Sequence, residues 1–172
     1  MNKKQIVNII TGLRVVLLPL IYVLLAWEKR QGAALLLIIA GFTDVLDGAL
    51  ARYWMVANRN GAVWDGCADY LYYTSYIIWI IWLFPQVIEA NKLLVGSVLV
   101  LTFVLLLYMC VKKGGLLFGH FLLSRVSAVC SFVMMTLFLW GFVEYWVFQI
   151  ALVSWICADV EILLFLKRRR QK

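Results

Sequence analysis

Apolar residues fill most of the chain, and charged residues interrupt them at intervals that suit membrane-spanning helices. The longest runs without Asp, Glu, Lys or Arg are residues 70–88, 93–111 and 126–143. A helix needs about 20 apolar residues to cross the hydrocarbon core of a bilayer, so each run is almost sufficient alone. Three shorter runs become spans if polar residues are tolerated at one end, namely 15–27, 31–43 and 145–158.

These runs predict an all-α polytopic membrane protein that forms a six-transmembrane-helix bundle. The expected helices cover residues 6–26, 33–56, 61–84, 91–112, 119–142 and 145–167. The sequence contains no internal repeat, low-complexity tract or linker. We therefore expect a single domain over residues 1–172.

Composition strengthens the membrane assignment. The chain is 65% hydrophobic and 15% charged, whereas soluble domains are about 45–50% apolar and about 25% charged. The formal net charge of +7 could suggest a nucleic-acid partner. The basic residues, however, lie at the ends of the predicted spans and do not form one soluble basic face, so we exclude nucleic acid as a partner.

The distribution of Lys and Arg predicts the orientation in the membrane. With the N-terminus in the cytoplasm, only Lys29, Arg30 and Lys92 of the 16 Lys and Arg residues would lie outside. Cytoplasmic loops are enriched in Lys and Arg, so both termini are expected in the cytoplasm. We expect a multi-pass protein of a bacterial-type cytoplasmic membrane. The basic run 167–172 would bind the anionic headgroups of membrane lipids.

Four of the nine acidic residues are crowded into two neighbouring predicted helices. Asp44 and Asp47 are three residues apart, and Asp65 and Asp69 are four apart. Residues at these spacings share one face of a helix. The connection between the two helices is short, so the helices are expected to be antiparallel neighbours. The two pairs of carboxylates can then converge near the cytoplasmic interface.

Such a cluster of carboxylates favours divalent cations. Each charge at membrane depth costs at least about 2.5–3.5 kcal/mol, and the like charges repel one another. Carboxylate oxygens are hard ligands that suit Mg²⁺, Mn²⁺ or Ca²⁺. Two ions about 3.5–4 Å apart would polarise a phosphoryl group and stabilise its leaving group. The alternative is that the acids pair with Arg52, Arg59 and Arg125 and hold helices together.

Small and basic residues beside the aspartates favour a phosphate-bearing substrate. Gly48, Ala51 and Gly61 are small enough for a nucleotide or diphosphate to approach the backbone. Arg52 can donate two hydrogen bonds to a phosphate. The residues therefore point to metal-dependent chemistry on a phosphate ester.

The spacing of these residues matches a known family. Residues 44–69 read D-x2-D-G-x2-A-R-x8-G-x3-D-x3-D, which resembles the signature of the CDP-alcohol phosphatidyltransferases at every fixed position. Upstream, Asn8-x2-Thr11-x2-Arg14-x4-Pro19 resembles the opening of the phosphatidylglycerophosphate-synthase branch. The resemblance covers the expected six-helix core, which is nearly the whole chain.

The resemblance implies a reaction and a cofactor. A CDP-linked lipid, usually CDP-diacylglycerol, would give its phosphatidyl group to the hydroxyl of a small alcohol and release CMP. Asp44 and Asp65 would bridge two ions, Mg²⁺ or Mn²⁺, while Asp47 would complete one metal site and Asp69 the other. Asp69 would also be the base that deprotonates the acceptor. Members of the family tend to form homodimers, so a second copy is a candidate partner.

The resemblance also assigns a group of residues to the CDP-linked lipid. The motif contributes five of these residues, and the upstream segment contributes three. They are Gly48, Ala51, Arg52, Asn58, Gly61, Asn8, Thr11 and Arg14.

The acceptor alcohol is less closely defined. Glycerol 3-phosphate or another polyol phosphate is the first expectation, and a phosphorylated acceptor needs a second basic cluster. The candidates are Lys112, Lys113, His120 and Arg125. The segment from His120 to Arg125 resembles a His-x4-Lys stretch of some family members, with Arg in place of Lys.

Alternatives remain for the acceptor residues. His120 could be an interfacial histidine without a role, and Arg125 could pair with Asp159 or Glu161 in the last helix. Tyr70 follows Asp69, at a position where the phosphatidylglycerophosphate and cardiolipin branches commonly have a lysine. The acceptor is therefore left open.

Two other functional classes compete with the transferase. An intramembrane prenyltransferase would have more helices and more widely separated Asp motifs. An inactive relative, or a divalent-cation-binding membrane protein without transferase activity, would keep the carboxylates but release no CMP.

Overall fold

The computed structural model describes the backbone of residues 3–54, 59–111 and 122–169. It describes the side chains of residues 9–50, 53–54, 66–105, 107–108 and 122–166. The described segments are helical and contain no strand. The helices in chain order are α1 (Lys3–Ala26), α2 (Arg30–Tyr53), α3 (Arg59–Leu83), α4 (Pro85–Ala90), α5 (Lys92–Val111), α6 (Leu122–Trp140) and α7 (Tyr145–Arg169).

Each of the six predicted segments corresponds to a long helix, and the all-helical prediction is confirmed for the described residues. The sequence analysis missed the short helix α4. Proline disfavours helical geometry in the residue before it and lacks a backbone N–H donor, so it ends one helix and suits the first turn of another. Phe84 accordingly leaves the helical conformation with φ −134°, and α4 begins at Pro85.

A glycine ends α6. Gly141 has φ +107°, a conformation that side chains with a Cβ rarely adopt. The Gly141 N–H donates to the Phe138 carbonyl at 3.1 Å, and the Phe142 N–H donates to the Leu137 carbonyl at 3.0 Å. This pair of bonds is a Schellman motif, which satisfies carbonyls at the end of the helix.

Four helical segments of the described chain are long and apolar enough to cross a bilayer. They are Ile9–Ala26, Arg30–Leu50, Leu122–Trp140 and Tyr145–Leu166. A shorter apolar segment, Lys92–Leu105, lies in α5. Large apolar side chains on these helices are exposed, including Val16, Phe42 and Leu93, as expected for surfaces that face lipid. The helices support an integral membrane protein, whereas six spans and cytoplasmic termini stay predictions.

The chain divides into two compact units, and the first contains the predicted aspartate site. It comprises Met1–Trp79 and Met135–Phe142. Helices α1 and α2 pack against each other, and Ala33 and Ala34 of α2 are completely buried. Small residues let helix backbones approach closely. Trp79 of α3 is also buried, and the centroid of its ring lies 5.3 Å from the ring centroid of Tyr22 on α1.

The second unit comprises Ile80–Met134 and Val143–Lys172. Helix α7 packs against α5 and α4, and polar bonds accompany this packing. Gln149 Nε2 donates to Asn91 Oδ1 at 2.9 Å, and Thr102 Oγ1 donates to Asp159 Oδ2 at 2.6 Å. Buried polar groups in a membrane protein are satisfied internally in this way. A single domain over residues 1–172 stays a prediction.

Candidate functional site

Three carboxylates from two helices surround one guanidinium group in the first unit. Arg14 lies near the middle of α1 and is buried, with 2% of its surface exposed. Its Nη1 donates to Asp44 Oδ1 and, at 3.2 Å, to Asp69 Oδ1. Its Nη2 donates to Asp47 Oδ2 at 3.2 Å. The structure thus brings three of the four predicted aspartates to one place.

The helices explain this convergence. Asp44 and Asp47 are three residues apart on α2, so both carboxylates lie on one face. Asp69 comes from α3 and Arg14 from α1. A second α1 side chain takes part, because Thr11 Oγ1 donates to Asp47 Oδ2 at 2.8 Å. Thr11 precedes Arg14 by three residues, which is one helical turn.

The three carboxylates differ in their access to solvent. The Asp47 side chain is 4% exposed, whereas those of Asp44 and Asp69 are 45% and 42% exposed. Asp47 is enclosed by its bonds to Thr11 and Arg14. The site is therefore closed at Asp47 and open at Asp44 and Asp69, which is the side that a substrate can reach.

Opposite charges meet at this site. Among the described residues, the Arg14 guanidinium contacts the carboxylates of Asp44, Asp47 and Asp69. A buried charge is tolerated only with a partner of opposite sign. The carboxylates therefore allow the Arg14 charge to be buried in α1.

The carboxylates are of the chemical type that binds a hard divalent cation, but the described side chains are not arranged to hold one. Mg²⁺ and Mn²⁺ prefer carboxylate oxygens, and Asp44, Asp47 and Asp69 present such oxygens to a single cationic group. The described side chains contain no group of three His, Cys, Asp or Glu residues close enough to hold a metal. The Asp65 side chain lies outside that part of the structure, so the two-ion site stays a prediction.

Most of the other predicted site residues cannot be placed. Gly48 lies on α2 next to Asp47 and is half-buried. The backbone is described for some of the remaining residues but their side chains are not, namely Asn8, Ala51, Arg52, Gly61 and Asp65. Asn58, Lys112, Lys113 and His120 lie outside the described residues altogether.

Arg125 has no acidic partner among the described side chains. It is exposed on α6. The two acids proposed as its alternative partners make other bonds, because Asp159 accepts from Thr102 and Glu161 Oε2 accepts from the Leu123 N–H at 2.9 Å. Within the described structure, the alternative of a helix-joining ion pair at Arg125 is therefore not observed.

The sequence analysis assigned Arg14 to the substrate and missed its bonds to the aspartates. One signal could have indicated them, because Arg14 interrupts an apolar stretch that is otherwise long enough to span. A charged residue inside a span normally has a partner of opposite sign. Tyr72 was also missed, and its Oη donates to the Arg14 carbonyl oxygen at 2.9 Å. This bond ties α3 to the α1 backbone beside the site.

We expect Tyr72→Phe to lower the thermal midpoint of the purified protein in detergent. The change removes the bond to the Arg14 carbonyl, and one such bond contributes about 0.5–1.5 kcal/mol. Tyr70→Phe is the matched control, because Tyr70 is 55% exposed whereas Tyr72 is 7% exposed. Equal thermal midpoints for the two variants would show that the bond does not stabilise the fold.

Comparison with known proteins assigns the family. The model of the CDP-alcohol phosphatidyltransferase family matches residues 4–157. A "probable cardiolipin synthase (CMP-forming)" of Drosophila melanogaster is 34% identical over 112 residues, which are 60% of this chain and 34% of the relative. A "cardiolipin synthase (CMP-forming) / mitochondrial hydrolase fusion protein" of Schizosaccharomyces pombe is 37% identical over 62 residues, which are 36% of this chain and 10% of the relative.

The match spans well under two thirds of the length of either relative. The family model, in contrast, covers most of this chain, including the stretch from Asp44 to Asp69 and the helix α1 that carries Arg14. The chain therefore belongs to the CDP-alcohol phosphatidyltransferase family of enzymes.

Proposed function

We propose that this protein transfers a phosphatidyl group from a CDP-linked lipid, with CDP-diacylglycerol as the first candidate, to the hydroxyl of a small alcohol in phospholipid biosynthesis. CMP is the second product. The observation that carries the proposal is the convergence of Asp44, Asp47 and Asp69 on one cationic group, in a chain of this family. Carboxylates are the ligand type of the divalent ions that assist chemistry on a diphosphate.

The proposed step is a substitution at phosphorus. The acceptor oxygen forms a bond to the phosphorus of the phosphatidyl group. The bond between that phosphorus and the oxygen of CMP breaks, and its electron pair leaves with CMP. The proton of the acceptor hydroxyl passes to the carboxylate of Asp69. A hydroxyl is a poor nucleophile near neutral pH, so a base within reach accelerates this step.

Access to solvent distinguishes the roles of the aspartates. Asp69 is open enough for an acceptor hydroxyl to reach it, whereas Asp47 is enclosed and suits a purely positioning or ligating role. Asp44, Asp47, Asp65 and Asp69 would together hold two Mg²⁺ or Mn²⁺ ions. When bound, these ions would supply positive charge that stabilises the departing CMP.

The donor lipid would be bound by the residues that the family motif assigns to it. Arg14 and Thr11 already lie at the carboxylates, where the diphosphate would be held. Gly48 follows Asp47 directly on α2. The remaining residues of this group lie outside the described side chains, namely Asn8, Ala51, Arg52, Asn58 and Gly61.

Two acceptors are proposed for the second substrate. Glycerol 3-phosphate or another polyol phosphate would be bound by Arg125, together with Lys112, Lys113 and His120. The exposure of Arg125, without an acidic partner in the described part of the chain, supports this role. The two relatives carry the name cardiolipin synthase (CMP-forming), which adds as the second candidate an acceptor whose product is cardiolipin.

The active site would face the cytoplasm and the inner leaflet of a bacterial-type membrane. The bias of Lys and Arg toward one side supports this placement. The CDP-linked lipid would then enter the site from that leaflet. A homodimer is proposed because members of the family tend to form homodimers.

Release of CMP tests the proposed reaction. Purified protein in detergent would receive CDP-diacylglycerol and Mg²⁺ or Mn²⁺, with glycerol 3-phosphate, inositol 1-phosphate, inositol, serine and phosphatidylglycerol tested separately. Release of CMP stimulated by one acceptor would support the transfer and identify the branch. Metal-dependent binding of CDP-diacylglycerol without release would favour an inactive relative or a cation-binding protein. No binding of the donor would contradict the proposal.

Arg125→Ala is expected to weaken the use of a phosphorylated acceptor. Loss of a charged hydrogen bond costs about 1.5–3 kcal/mol, so the KM for that acceptor should rise about tenfold or more. The affinity for CDP-diacylglycerol should stay unchanged. Lys92→Ala is the control, because Lys92 is also basic and exposed. An equal loss of affinity for donor and acceptor would contradict the role.

A further inference from the structure

A carboxylate of α7 bonds to the backbone at the beginning of α6. Glu161 Oε2 accepts a hydrogen bond from the Leu123 N–H at 2.9 Å, and α6 begins at Leu122. The first four N–H groups of a helix have no acceptor within that helix. Glu161 supplies one of them with an acceptor from another helix, and its negative charge suits the positive end of the helix dipole.

A second bond joins the same two helices further along. Trp155 Nε1 donates to Ser131 Oγ at 2.7 Å, and Ser131 is buried. Trp155 precedes Glu161 on α7, whereas Ser131 follows Leu123 on α6, so the two helices are antiparallel. All four residues belong to the second unit. Glu161 therefore meets the beginning of α6 as part of a helix that is also held elsewhere.

The other carboxylate in this part of α7 bonds in a different direction. Asp159 Oδ2 accepts from Thr102 Oγ1 of α5 at 2.6 Å, and Asp159 is buried. Residues two apart in a helix point to different sides of it. Asp159 thus joins α7 to α5, while Glu161 joins it to α6. The position of the Glu161 backbone is consequently set by contacts that do not involve α6.

Arg125 depends on the beginning of α6. It is the fourth residue of this helix, so it lies in the first turn. Arg125 is exposed, and no acidic side chain of the described structure pairs with it. The backbone of the first turn therefore determines where the guanidinium can reach. A first turn with unsatisfied N–H groups frays readily, and the bond to Glu161 opposes this.

We propose that Glu161 is a positioning residue that keeps the first turn of α6 folded and thereby holds Arg125 where it binds the phosphate of the acceptor. The inference rests on the proposed function, because it requires a phosphorylated acceptor at Arg125. Glu161 itself does not contact the acceptor. Its contribution is the acceptor oxygen that it offers to the Leu123 N–H.

Two variants separate this bond from the charge of Glu161. The amide oxygen of Gln can still accept from the Leu123 N–H, whereas Ala offers no acceptor. Glu161→Ala should raise the KM for the phosphorylated acceptor about threefold or more, and Glu161→Gln should raise it less. The affinity for CDP-diacylglycerol should stay unchanged in both.

Glu89→Ala is the control for these variants. It removes an exposed carboxylate from α4 in the same unit and should leave the KM for the acceptor at the wild-type value. A wild-type KM in Glu161→Ala would overturn the proposal. Equal rises in Glu161→Ala and Glu161→Gln would also overturn it, because Glu161 would then act through its charge.

A double variant shows whether Glu161 acts through Arg125. Residues that act through one another have effects that do not add. In the Arg125→Ala background, Glu161→Ala should therefore raise the KM for the acceptor no further. A further rise equal to the one seen in the wild-type background would overturn the positioning role.

Hydrogen–deuterium exchange of the full chain in detergent supplies a readout that needs no substrate. Peptides that cover residues 122–125 should exchange faster in Glu161→Ala than in the wild type, because the first turn opens more often. Exchange in α5 should not change. Wild-type exchange at residues 122–125 would overturn the proposal.

Two further outcomes are decisive. If Glu161→Ala does not fold, Glu161→Asp replaces it, because a side chain shorter by one methylene group should lose the bond. The KM and the exchange should then rise in the same way, and wild-type values would overturn the proposal. Faster exchange in a protein that releases no CMP with any acceptor would instead contradict the proposed function, and the role of Glu161 in acceptor binding would fall with it.

Discussion

Asp69→Asn should abolish most of the release of CMP while leaving the donor lipid bound. The amide cannot accept the proton of the acceptor hydroxyl, and a general base contributes about 10²–10⁴-fold to a rate. Asn keeps the shape of Asp and an oxygen that can accept from Arg14 Nη1, so the site should stay assembled. The turnover number and the affinity for CDP-diacylglycerol would be measured on the same preparation.

Asp159→Asn is the matched control for this experiment. Asp159 is an aspartate too, but it is buried, accepts from Thr102 in the second unit and has no proposed part in the reaction. The same chemical change there should leave the turnover number near the wild-type value. Wild-type turnover in Asp69→Asn would remove Asp69 from the role of base. Loss of donor binding together with turnover would assign it to the binding of metal and donor alone.

Asp44→Asn should raise the concentration of Mg²⁺ or Mn²⁺ that the reaction needs and lower its maximal rate. Asp44 is proposed to bridge two ions, and a neutral amide is a weaker ligand than a carboxylate. Because bound metal contributes several kcal/mol to such a reaction, we expect a loss of about a hundredfold or more. The measurement is CMP release as a function of metal concentration.

Two controls show whether the change in metal dependence is specific to Asp44. Treatment of the wild type with EDTA should stop the release of CMP, and added metal should restore it. Glu89→Gln removes an exposed carboxylate from α4 and should leave the metal dependence unchanged. A metal dependence in Asp44→Asn that equals that of the wild type would show that Asp44 is not a ligand.

The positions of the long helices were predictable from the sequence because charged residues mark their ends. The predicted end of the third helix at residue 84 agrees with α3, which ends at Leu83. The short helix α4 was not predicted, since its residues 85–90 lay between the predicted helices 61–84 and 91–112. Pro85 was the available signal, because proline suits the first turn of a helix.

The spacing of the aspartates predicted which carboxylates share a face, because this depends on local helical geometry alone. It could not predict that Arg14 and Thr11 of α1 would meet them. These contacts join residues more than 30 positions apart, and they depend on how α1 packs against α2. The position of Arg14 inside an apolar stretch indicated that it needs an acidic partner, but the sequence alone does not identify which one.

The enclosure of Asp47 also governs which substitutions the site can accept during evolution. Glu differs from Asp by one methylene group, and well-packed positions resist even that increase in volume. At position 47, where Thr11 and Arg14 enclose the carboxylate, glutamate would have to push its neighbours apart. At positions 44 and 69 the additional length can extend toward the open side. Exchange of Asp for Glu is therefore limited by the available volume at position 47. At positions 44 and 69 it is limited by the proposed roles of the carboxylates in metal binding and proton transfer.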